Sequence, residues 1–232
     1  MNIQEQFKKY DTNNDGFIQP EELKKGLGLE EEEVTKIYKE FDKNNDGKLD
    51  FFEFKYMILK REFDLFDKNN DGKLELNELM EGYNLDEEAA KKIIAKYDTN
   101  NDGVLQFCEF KKWKHNVFIN NEFNHYDTNN DGFLQPDEIK TGYKLEEDAV
   151  TKIFKDFDTN NDGKLDFDEF FKWKVSEEFK EFDKDNDGKL DKEEIMAGFR
   201  CDEEYAKKFI AKYDTNNDGS IDLNEWYGIY KL

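Results

Sequence analysis

The sequence contains few of the residues that brace small folds or build catalytic sites. Of its 232 residues, two are proline, two are cysteine, two are histidine and four are methionine. The cysteines, Cys108 and Cys201, stand at non-equivalent places and so predict no disulfide framework. His115 and His125 lack positioned partners for acid–base or nucleophilic chemistry, and we expect them on the surface or on a helix face. The sequence therefore predicts a protein that is not an enzyme.

Long apolar segments are also missing. No stretch could form a transmembrane helix, and the opening residues, Met-Asn-Ile-Gln-Glu-Gln-Phe, lack the apolar core of a signal segment. The second residue is Asn2, whereas N-myristoylation requires glycine there. These absences predict a protein of a reducing, cytoplasmic compartment that does not insert into membranes.

Charge is what the sequence has in abundance. Charged residues make up 40% of the chain, 57 acids face 35 Lys and Arg residues, and the formal net charge is −22. Apolar residues reach only 36%, below the usual 45–50%. A strongly acidic chain can indicate basic partners. The spacing of the acidic residues gives a different explanation.

Eight twelve-residue segments share the pattern Asp-x-[Asn/Asp]-x-Asp-Gly-x5-Glu, which is typical of a Ca²⁺-binding loop. Ca²⁺ takes six to eight oxygen ligands at about 2.3–2.6 Å. Position 1 is always aspartate: Asp11, Asp42, Asp67, Asp98, Asp127, Asp158, Asp183 and Asp214. Position 3 offers an amide or carboxylate oxygen: Asn13, Asn44, Asn69, Asn100, Asn129, Asn160, Asp185 and Asn216. Position 5 is again aspartate: Asp15, Asp46, Asp71, Asp102, Asp131, Asp162, Asp187 and Asp218.

Positions 7, 9 and 12 supply the remaining ligands. Position 7 gives only its backbone carbonyl, so its side chain varies: Phe17, Lys48, Lys73, Val104, Phe133, Lys164, Lys189 and Ser220. Position 9 is Gln19, Asp50, Glu75, Gln106, Gln135, Asp166, Asp191 and Asp222. Position 12 is a glutamate that can offer both oxygens: Glu22, Glu53, Glu78, Glu109, Glu138, Glu169, Glu194 and Glu225. No loop lacks a ligand, and we predict up to eight bound Ca²⁺, with Mg²⁺ as a competitor.

These ligands account for the acidity of the chain. Thirty of the 57 acidic residues occupy ligand positions, and eight bound Ca²⁺ would change the formal charge from −22 to −6. We therefore invoke no nucleic acid as a partner. The carboxylates number three in the first, fourth and fifth loops, five in the seventh and four in the others. Because carboxylates also repel one another in the absence of the ion, this number alone gives no order of affinity.

The sequence repeats at two lengths. A shift of 116 residues superimposes the first four loops on the last four without a gap, and about 65 of the 116 positions are identical. Within each half, a shift of 56 residues superimposes the first two loops on the next two. We therefore predict two halves, 1–116 and 117–232, each made of two pairs of loops. The pairs are expected near residues 1–58, 59–116, 117–174 and 175–232.

The spacing of the loops predicts which loops pair. Loops that start 31 residues apart are separated by two helices and a short link, and we expect them to be partners. The 25-residue intervals leave 13 residues without glycine or proline, which predicts one helix shared by two loops. Position 8 is always Ile or Leu and suits a short strand between paired loops. A swapped pairing across the shared helices is the alternative.

Two further features concern the helices next to the loops. The residue before each loop is aromatic and the residue three places earlier is aromatic or Ile, so both lie on one helical face and predict a core. We expect glycines near the ends of the helices that follow the odd-numbered loops to act as C-terminal caps: Gly26, Gly82, Gly142 and Gly198.

These motifs resemble the EF-hand superfamily over nearly the whole chain. The resemblance implies an all-α array of eight helix–loop–helix hands in four pairs, with two-residue-scale β-bridges between paired loops and pentagonal-bipyramidal Ca²⁺ sites. Eight intact hands without an attached domain look more like an enlarged calbindin-type or sarcoplasmic-type protein than a four-hand calmodulin-like sensor. Four Met and 22 Phe favour stiff packing over a flexible target groove.

Two segments are candidates for contact with a partner. The only basic cluster, residues 111–115, is interpreted as a solvated helix face with Trp113 turned inward. Residues 56–59 are Tyr-Met-Ile-Leu, whereas their equivalents, residues 172–175, are Lys-Trp-Lys-Val. The apolar segment is therefore a candidate for contact between pairs or with a partner protein.

The sequence leaves three functions open. Eight complete sites and few methionines favour a high-capacity cytoplasmic Ca²⁺ buffer or store. A Ca²⁺ sensor would instead open on binding and regulate one dedicated partner protein. A structural or contractile Ca²⁺-responsive element would change its length or assembly. We expect a monomer whose metal-free form is loose and thermolabile, because pairs of this size have small cores.

Overall fold

The computed structural model describes residues 3–42, 45–199 and 203–230, without the side chains of Gln4, Phe199 and Tyr205. The chain forms two compact units. Of the described residues, one unit contains 3–42, 45–114 and 199, and the other contains 115–198 and 203–230. In the part of the chain that the structure describes, no helix is both long enough and apolar enough to cross a membrane. Cys201 and the ligand candidate Asn44 lie outside the described residues.

The described residues form thirteen helices and four two-residue strands. The first six helices are α1 (Ile3–Tyr10), α2 (Pro20–Leu27), α3 (Glu31–Phe41), α4 (Phe51–Phe66), α5 (Leu76–Tyr83) and α6 (Glu87–Tyr97). The next four are α7 (Phe107–Tyr126), α8 (Pro136–Tyr143), α9 (Glu147–Phe157) and α10 (Phe167–Phe182). The last three are α11 (Lys192–Phe199), α12 (Glu203–Tyr213) and α13 (Leu223–Tyr230). The strands are β1 (Lys73–Leu74), β2 (Leu105–Gln106), β3 (Lys189–Leu190) and β4 (Ile221–Asp222). The predicted all-α array of helix–loop–helix hands is confirmed.

Short antiparallel bridges join the loops two by two. Strand β1 pairs with β2 and β3 pairs with β4, and isolated bridges join the loops of the other two pairs. The residues that meet are the position-8 residues: Ile18 and Leu49, Leu74 and Leu105, Leu134 and Leu165, and Leu190 and Ile221. All eight side chains are fully buried. The pairing of loops 31 residues apart is confirmed, and the swapped alternative is wrong.

Single helices connect the hands of neighbouring pairs. Helices α4 and α10 fill the two 25-residue intervals, as the absence of glycine and proline predicts. Helix α7 is also continuous for 20 residues, although the sequence analysis made no prediction for this interval. Residues 107–126 contain no glycine or proline either, so nothing in them interrupts a helix. The same signal would have predicted all three connecting helices.

The glycines expected to be C-terminal caps have another role. Gly82 lies inside the last turn of α5, and the left-handed cap is Asn84, with φ of 52°. A Cβ on Gly82 would lie 2.6 Å from a ring carbon of Phe66, the aromatic residue before the third loop. Gly26, Gly142 and Gly198 meet the aromatic residue before their own loops in the same way. The cap assignment is wrong because glycine is needed here for close packing of an aromatic ring.

Aromatic rings and the position-8 residues form the core of each pair. In the first pair, Phe7 and Tyr10 of α1 lie 5.5 and 5.8 Å from Phe54 of α4, measured between ring centroids, with the rings edge to face. Ile18 and Leu49 complete this buried cluster between the loops. The helix face predicted from the sequence therefore does pack into a core, and edge-to-face pairs of this kind add to the free energy of burial.

Helix α4 provides contacts between the first and second pairs. The ring of Tyr56 lies 5.9 Å from Phe41 and 5.3 Å from Phe107, measured between centroids. Met57 and Leu59 are 0% and 4% exposed. The apolar segment 56–59 thus packs between hand pairs, which was one of the two roles left open for it.

Lys114 in the basic cluster is part of a half-buried polar group. Its Nζ atom lies 2.8 Å from Oε1 of Glu62, which also accepts a hydrogen bond of 2.9 Å from the hydroxyl of Tyr83. Burial, followed by the charge of Glu62, raises the pKa of Tyr83. Trp113 is buried, as predicted, and its ring lies 4.7 Å from that of Tyr83. The cluster is therefore not simply a solvated face, because Lys114 is paired across helices.

Replacement of Lys114 by methionine is expected to lower the free energy of unfolding of the first unit by about 1–2 kcal/mol. The change leaves the half-buried Glu62 carboxylate without its cation, at a cost below that of a fully buried pair because water still reaches both groups. Thermal unfolding followed by circular dichroism measures the effect. The matched control is Lys92→Met, whose exposed partner is Glu88, with an expected change below about 0.5 kcal/mol. Equal effects of the two substitutions would contradict this role of Lys114.

The two histidines have different environments. His115 is 8% exposed, its ring stacks on Tyr230 with centroids 4.2 Å apart, and its Nε2 atom lies 3.9 Å from Glu178. Of the two expected positions, His115 takes the helix face and not the surface, because α7 continues past it and turns it toward the core of the second unit with Ile119, one turn later. His125 is exposed, as predicted.

Candidate metal centres

Two left-handed residues shape every loop. Glycine at position 6 has φ between 78° and 88°, a left-handed conformation that a Cβ penalises. Position 4 has φ between 56° and 60° and is asparagine in all eight loops. Asparagine tolerates this conformation better than most residues with a Cβ. Sequence reasoning missed position 4, although its identity in all eight loops was a visible signal.

The position-1 aspartate organises the first half of each loop. Its Oδ2 atom accepts a hydrogen bond from the glycine N–H at position 6, at 2.7 to 3.0 Å, in all eight loops. Its Oδ1 atom accepts the N–H of position 5, at 3.1 to 3.3 Å. The backbone N–H of position 7 donates a hydrogen bond to Oδ1 of the position-5 aspartate in all eight loops. These bonds fix where the carboxylates of the loop stand.

The position-12 glutamate closes each loop from the other end. Its Oε2 atom accepts the N–H of position 9, at 3.0 to 3.1 Å, in all eight loops. In the seven loops whose position 2 is described, Oε1 accepts the N–H of that residue. Where position 2 is threonine, the hydroxyl donates to Oε1 as well. One carboxylate therefore holds the two ends of the loop together.

Positions 9 and 12 also start the helix that leaves the loop. Asp50 is the N-cap of α4, and its carboxylate accepts a hydrogen bond from the backbone N–H of Glu53. The carboxylate of Glu53 accepts one from the backbone N–H of Asp50. Asp166 and Glu169 form the same capping box at the start of α10. A capping box satisfies two N–H groups at a helix start, so the ligands and the helix stabilise each other.

The ligand set suits a divalent cation that prefers oxygen. Ligand oxygens of Asp183, Asp185 and Asp187 lie within 4.8 Å of one another, a spacing compatible with one shared Ca²⁺ at about 2.3–2.6 Å from each. Position-1 and position-12 carboxylates are buried in several loops; Asp67 and Glu109, for example, are 5% and 2% exposed. Burial of such charges is costly unless a counter-charge or several donors compensate it. A bound Ca²⁺ would supply that counter-charge.

Hydrogen bonds lower the pKa of four position-12 carboxylates. Burial raises the pKa of Glu169, but the N–H groups of Asp166 and Thr159 and the Thr159 hydroxyl outweigh it, so the pKa lies below the usual value. Glu22, Glu138 and Glu225 have lowered pKa values from the same balance of burial and loop donors. The charged form, which binds a cation, is therefore favoured at neutral pH.

Within each loop, the hydrogen bonds above link position 1 to position 5 and position 9 to position 12, and among the described residues the seventh loop also brings three ligand carboxylates within 4.8 Å. Position 9 differs between loops in a way that the sequence did not predict. Gln19, Gln106 and Gln135 donate their side-chain amide to the position-5 aspartate, at 2.6, 3.1 and 2.7 Å. The position-9 aspartates, Asp50, Asp166, Asp191 and Asp222, accept the N–H of the position-12 glutamate of their own loop.

Four stretches of the chain match the family described as EF-hand domain pair: residues 1–59, 58–113, 118–173 and 174–231. The chain belongs to this family. Each matched stretch of the EF-hand protein contains two of the eight loops. EF-hands are Ca²⁺-binding units, so the chain is a Ca²⁺-binding EF-hand protein.

Curated relatives of this EF-hand protein include a calcium-dependent kinase and a calcium-binding protein. Calcium-dependent protein kinase 21 of Arabidopsis thaliana is 34% identical over 124 residues, which cover 45% of this chain and 23% of the kinase. Calcium-binding protein LPS1-alpha of Lytechinus pictus is 28% identical over 165 residues, which cover 64% of this chain and 47% of that protein. The chain thus spans less than half the length of either relative.

A solved structure of a homolog of programmed cell death 6 protein from Leishmania major Friedlin is also similar to this chain. It shares 23% identity, and the match covers 60% of this chain and 91% of that chain with a TM-score of 0.28.

Proposed function

We propose that this EF-hand protein is a high-capacity intracellular Ca²⁺ buffer that binds up to eight Ca²⁺, in two four-hand halves, 1–116 and 117–232. The observation that carries the proposal is the repetition of one hydrogen-bond frame. Position-1 and position-12 carboxylates have the same N–H partners in loop after loop, so no loop is specialised for another task. Eight similar sites on one chain favour capacity over switching.

The packing of the apolar side chains also supports a buffer. A sensor must expose a groove when it binds Ca²⁺, and such grooves commonly use flexible methionines. Met57 is fully buried. Among the described residues, the large hydrophobic side chains classed as exposed are Tyr56, at 39%, and Leu65, at 63%. The rings of the core pack edge to face, which resists rearrangement.

Further parts of the proposal follow from the binding role. The protein acts without catalysis, as a monomer, with Ca²⁺ as its main partner and Mg²⁺ as a competing ion. We place it in the cytoplasm, where the free and exposed thiol of Cys108 stays reduced. The kinase activity of the Arabidopsis relative is not transferred to this chain, since the similarity covers less than a quarter of that protein.

The proposal predicts little new apolar surface when Ca²⁺ binds. Fluorescence of an apolar-surface dye is followed during a Ca²⁺ titration of the full chain, with millimolar Mg²⁺ present throughout to suppress the loose metal-free state. A flat or falling signal, with Ca²⁺ uptake confirmed in parallel, is expected. A saturable rise would contradict the buffer and favour a sensor with a dedicated partner.

A further inference from the structure

Each hand pair has one lysine at loop position 7, and the partner loop has Phe, Val or Ser there. The lysines are Lys48, Lys73, Lys164 and Lys189, in loops 2, 3, 6 and 7. Position 7 contributes only its carbonyl to its own site, so its side chain is free to leave the loop. The β-bridge next to it, at position 8, holds the partner loop close by.

The lysine side chains cross to the partner loop. Lys189 places its Nζ atom 2.8 Å from Oδ2 of Asp218, the position-5 ligand of loop 8. Two other pairs repeat this arrangement at longer range, Lys73 with Asp102 at 3.8 Å and Lys164 with Asp131 at 3.9 Å. In the first pair, Lys48 lies over the ring of Phe17, the position-7 residue of the partner loop, at 4.6 Å from its centroid. All four lysines therefore lie against the neighbouring loop.

A second difference between the loops of a pair follows the same division. Of the four loops that a lysine faces, loops 1, 4 and 5 have glutamine at position 9. The side-chain amide of this glutamine donates a hydrogen bond to the position-5 aspartate of the same loop. Loops that carry the lysine have an acidic residue at position 9 instead: Asp50, Glu75, Asp166 and Asp191. Each lysine-bearing loop has one carboxylate more than its partner, at position 9 in three pairs and at position 3, through Asp185, in the fourth. In the loops that a lysine faces, the position-5 carboxylate, a predicted Ca²⁺ ligand, contacts a lysine ammonium group, a glutamine amide or both.

We propose that every hand pair contains one tighter and one weaker Ca²⁺ site, and that the position-7 lysine sets the difference. The tighter sites are in loops 2, 3, 6 and 7, and the weaker sites are in loops 1, 4, 5 and 8, which the lysines face. An ammonium group beside a ligand carboxylate repels the incoming divalent cation and must be displaced from that carboxylate. The proposal rests on the Ca²⁺ binding proposed above. It gives the buffer two classes of site, which together respond over a wider range of Ca²⁺ concentration than eight equal sites.

The fourth pair provides the sharpest test, because Lys189 has the shortest contact. Full-length protein is labelled with ¹⁵N-glycine, and each of the eight position-6 glycines reports its own loop. Gly188 and Gly219 donate to the position-1 aspartates of loops 7 and 8, at 3.0 and 2.9 Å. The Ca²⁺ concentration that half converts each resonance is measured in a Ca²⁺-buffered titration. In the unmodified protein, Gly188 is expected to respond at lower Ca²⁺ than Gly219.

The variant Lys189→Gln is expected to lower the midpoint of Gly219 about three- to tenfold and to change that of Gly188 less than about twofold. Lys189→Arg keeps the charge and is expected to keep the original order. The matched control is Lys192→Gln, which removes the same charge from loop 7 but whose ammonium pairs with Glu193 and Glu203. It is expected to leave the ratio of the two midpoints unchanged.

The outcomes separate this inference from the proposed function. An unchanged Gly219 midpoint in Lys189→Gln, or equal shifts of Gly188 and Gly219, overturns the role of the lysine while Ca²⁺ binding stands. A Gly219 response that precedes Gly188 in the unmodified protein overturns the proposed order of the sites. If none of the eight position-6 glycines responds to Ca²⁺, the proposed function itself fails.

Discussion

Removal of Ca²⁺ is expected to lower the unfolding temperature of this protein by about 20–40 °C. A ligand present at 100 times its Kd stabilises the folded state by about 2.7 kcal/mol per site, so two sites give a hand pair about 5.4 kcal/mol. In a domain of 60–100 residues, 1 kcal/mol changes the unfolding temperature by about 4–8 °C. The cause is the burial of ligand carboxylates such as Asp67 in the third loop and Glu109 in the fourth, whose charges Ca²⁺ would neutralise.

Differential scanning calorimetry with saturating Ca²⁺ and with a chelator measures this difference. The control replaces Ca²⁺ by sodium chloride at equal ionic strength, which screens surface repulsion but does not occupy the loops. It is expected to recover only a small part of the effect. A difference below about 5 °C between the Ca²⁺-bound and chelated states would contradict metal-linked stability, as would full recovery in salt.

The substitution Gly142→Ala is expected to destabilise the second unit by about 1–3 kcal/mol. The added methyl group would clash with the ring of Tyr126, the residue before the fifth loop, because the two would be closer than van der Waals contact allows. Tyr126 is confined by its neighbours and packs on Tyr143, so the backbone or the ring must shift, and overpacking of this kind costs about 1–3 kcal/mol. The displaced ring lies next to Asp127, so Ca²⁺ affinity of that loop is expected to fall as well.

The chain offers a matched control in the same unit. Gly228 lies in helix α13, and a Cβ there would meet nothing within 4 Å. Gly228→Ala is expected to stabilise this helix by a few tenths to about 1 kcal/mol, because glycine loses more backbone entropy than alanine. Thermal unfolding of both variants at one fixed Ca²⁺ concentration tests the pair. Destabilisation by both, or by neither, would contradict the packing role of Gly142.

The loops were predictable from sequence because a cation demands fixed ligands at fixed positions. Positions 1, 3, 5, 6 and 12 each have one chemical task, and each repeats one residue type in all eight loops, except that Asp185 replaces asparagine once at position 3. The pairing was predictable for a similar reason, since the 31-residue spacing and the position-8 residues both point to the same partner loop. The asparagines at position 4 carried an equally clear signal that was not used.

The wrong predictions all concern tertiary contacts, which one residue type can satisfy in more than one way. A glycine near a helix end favours a cap, but Gly82 is needed beneath the ring of Phe66, and only the fold brings that ring to it. His115 looked like a residue of a solvated basic helix, yet its side chain stacks on Tyr230, 115 residues later in the chain. Lys114 pairs with Glu62, again from a distant helix. Periodicity within one helix does not identify such partners.

The number of Ca²⁺ ions bound per chain tests the central claim most directly. Equilibrium dialysis of the full-length protein against buffered Ca²⁺ at physiological ionic strength, followed by metal analysis, gives this number. Eight Ca²⁺ per chain at saturation is the predicted result, because each loop has a complete ligand set. A plateau below eight would show that some loops with complete ligand sets do not bind, and would contradict the claim that every loop is a competent site.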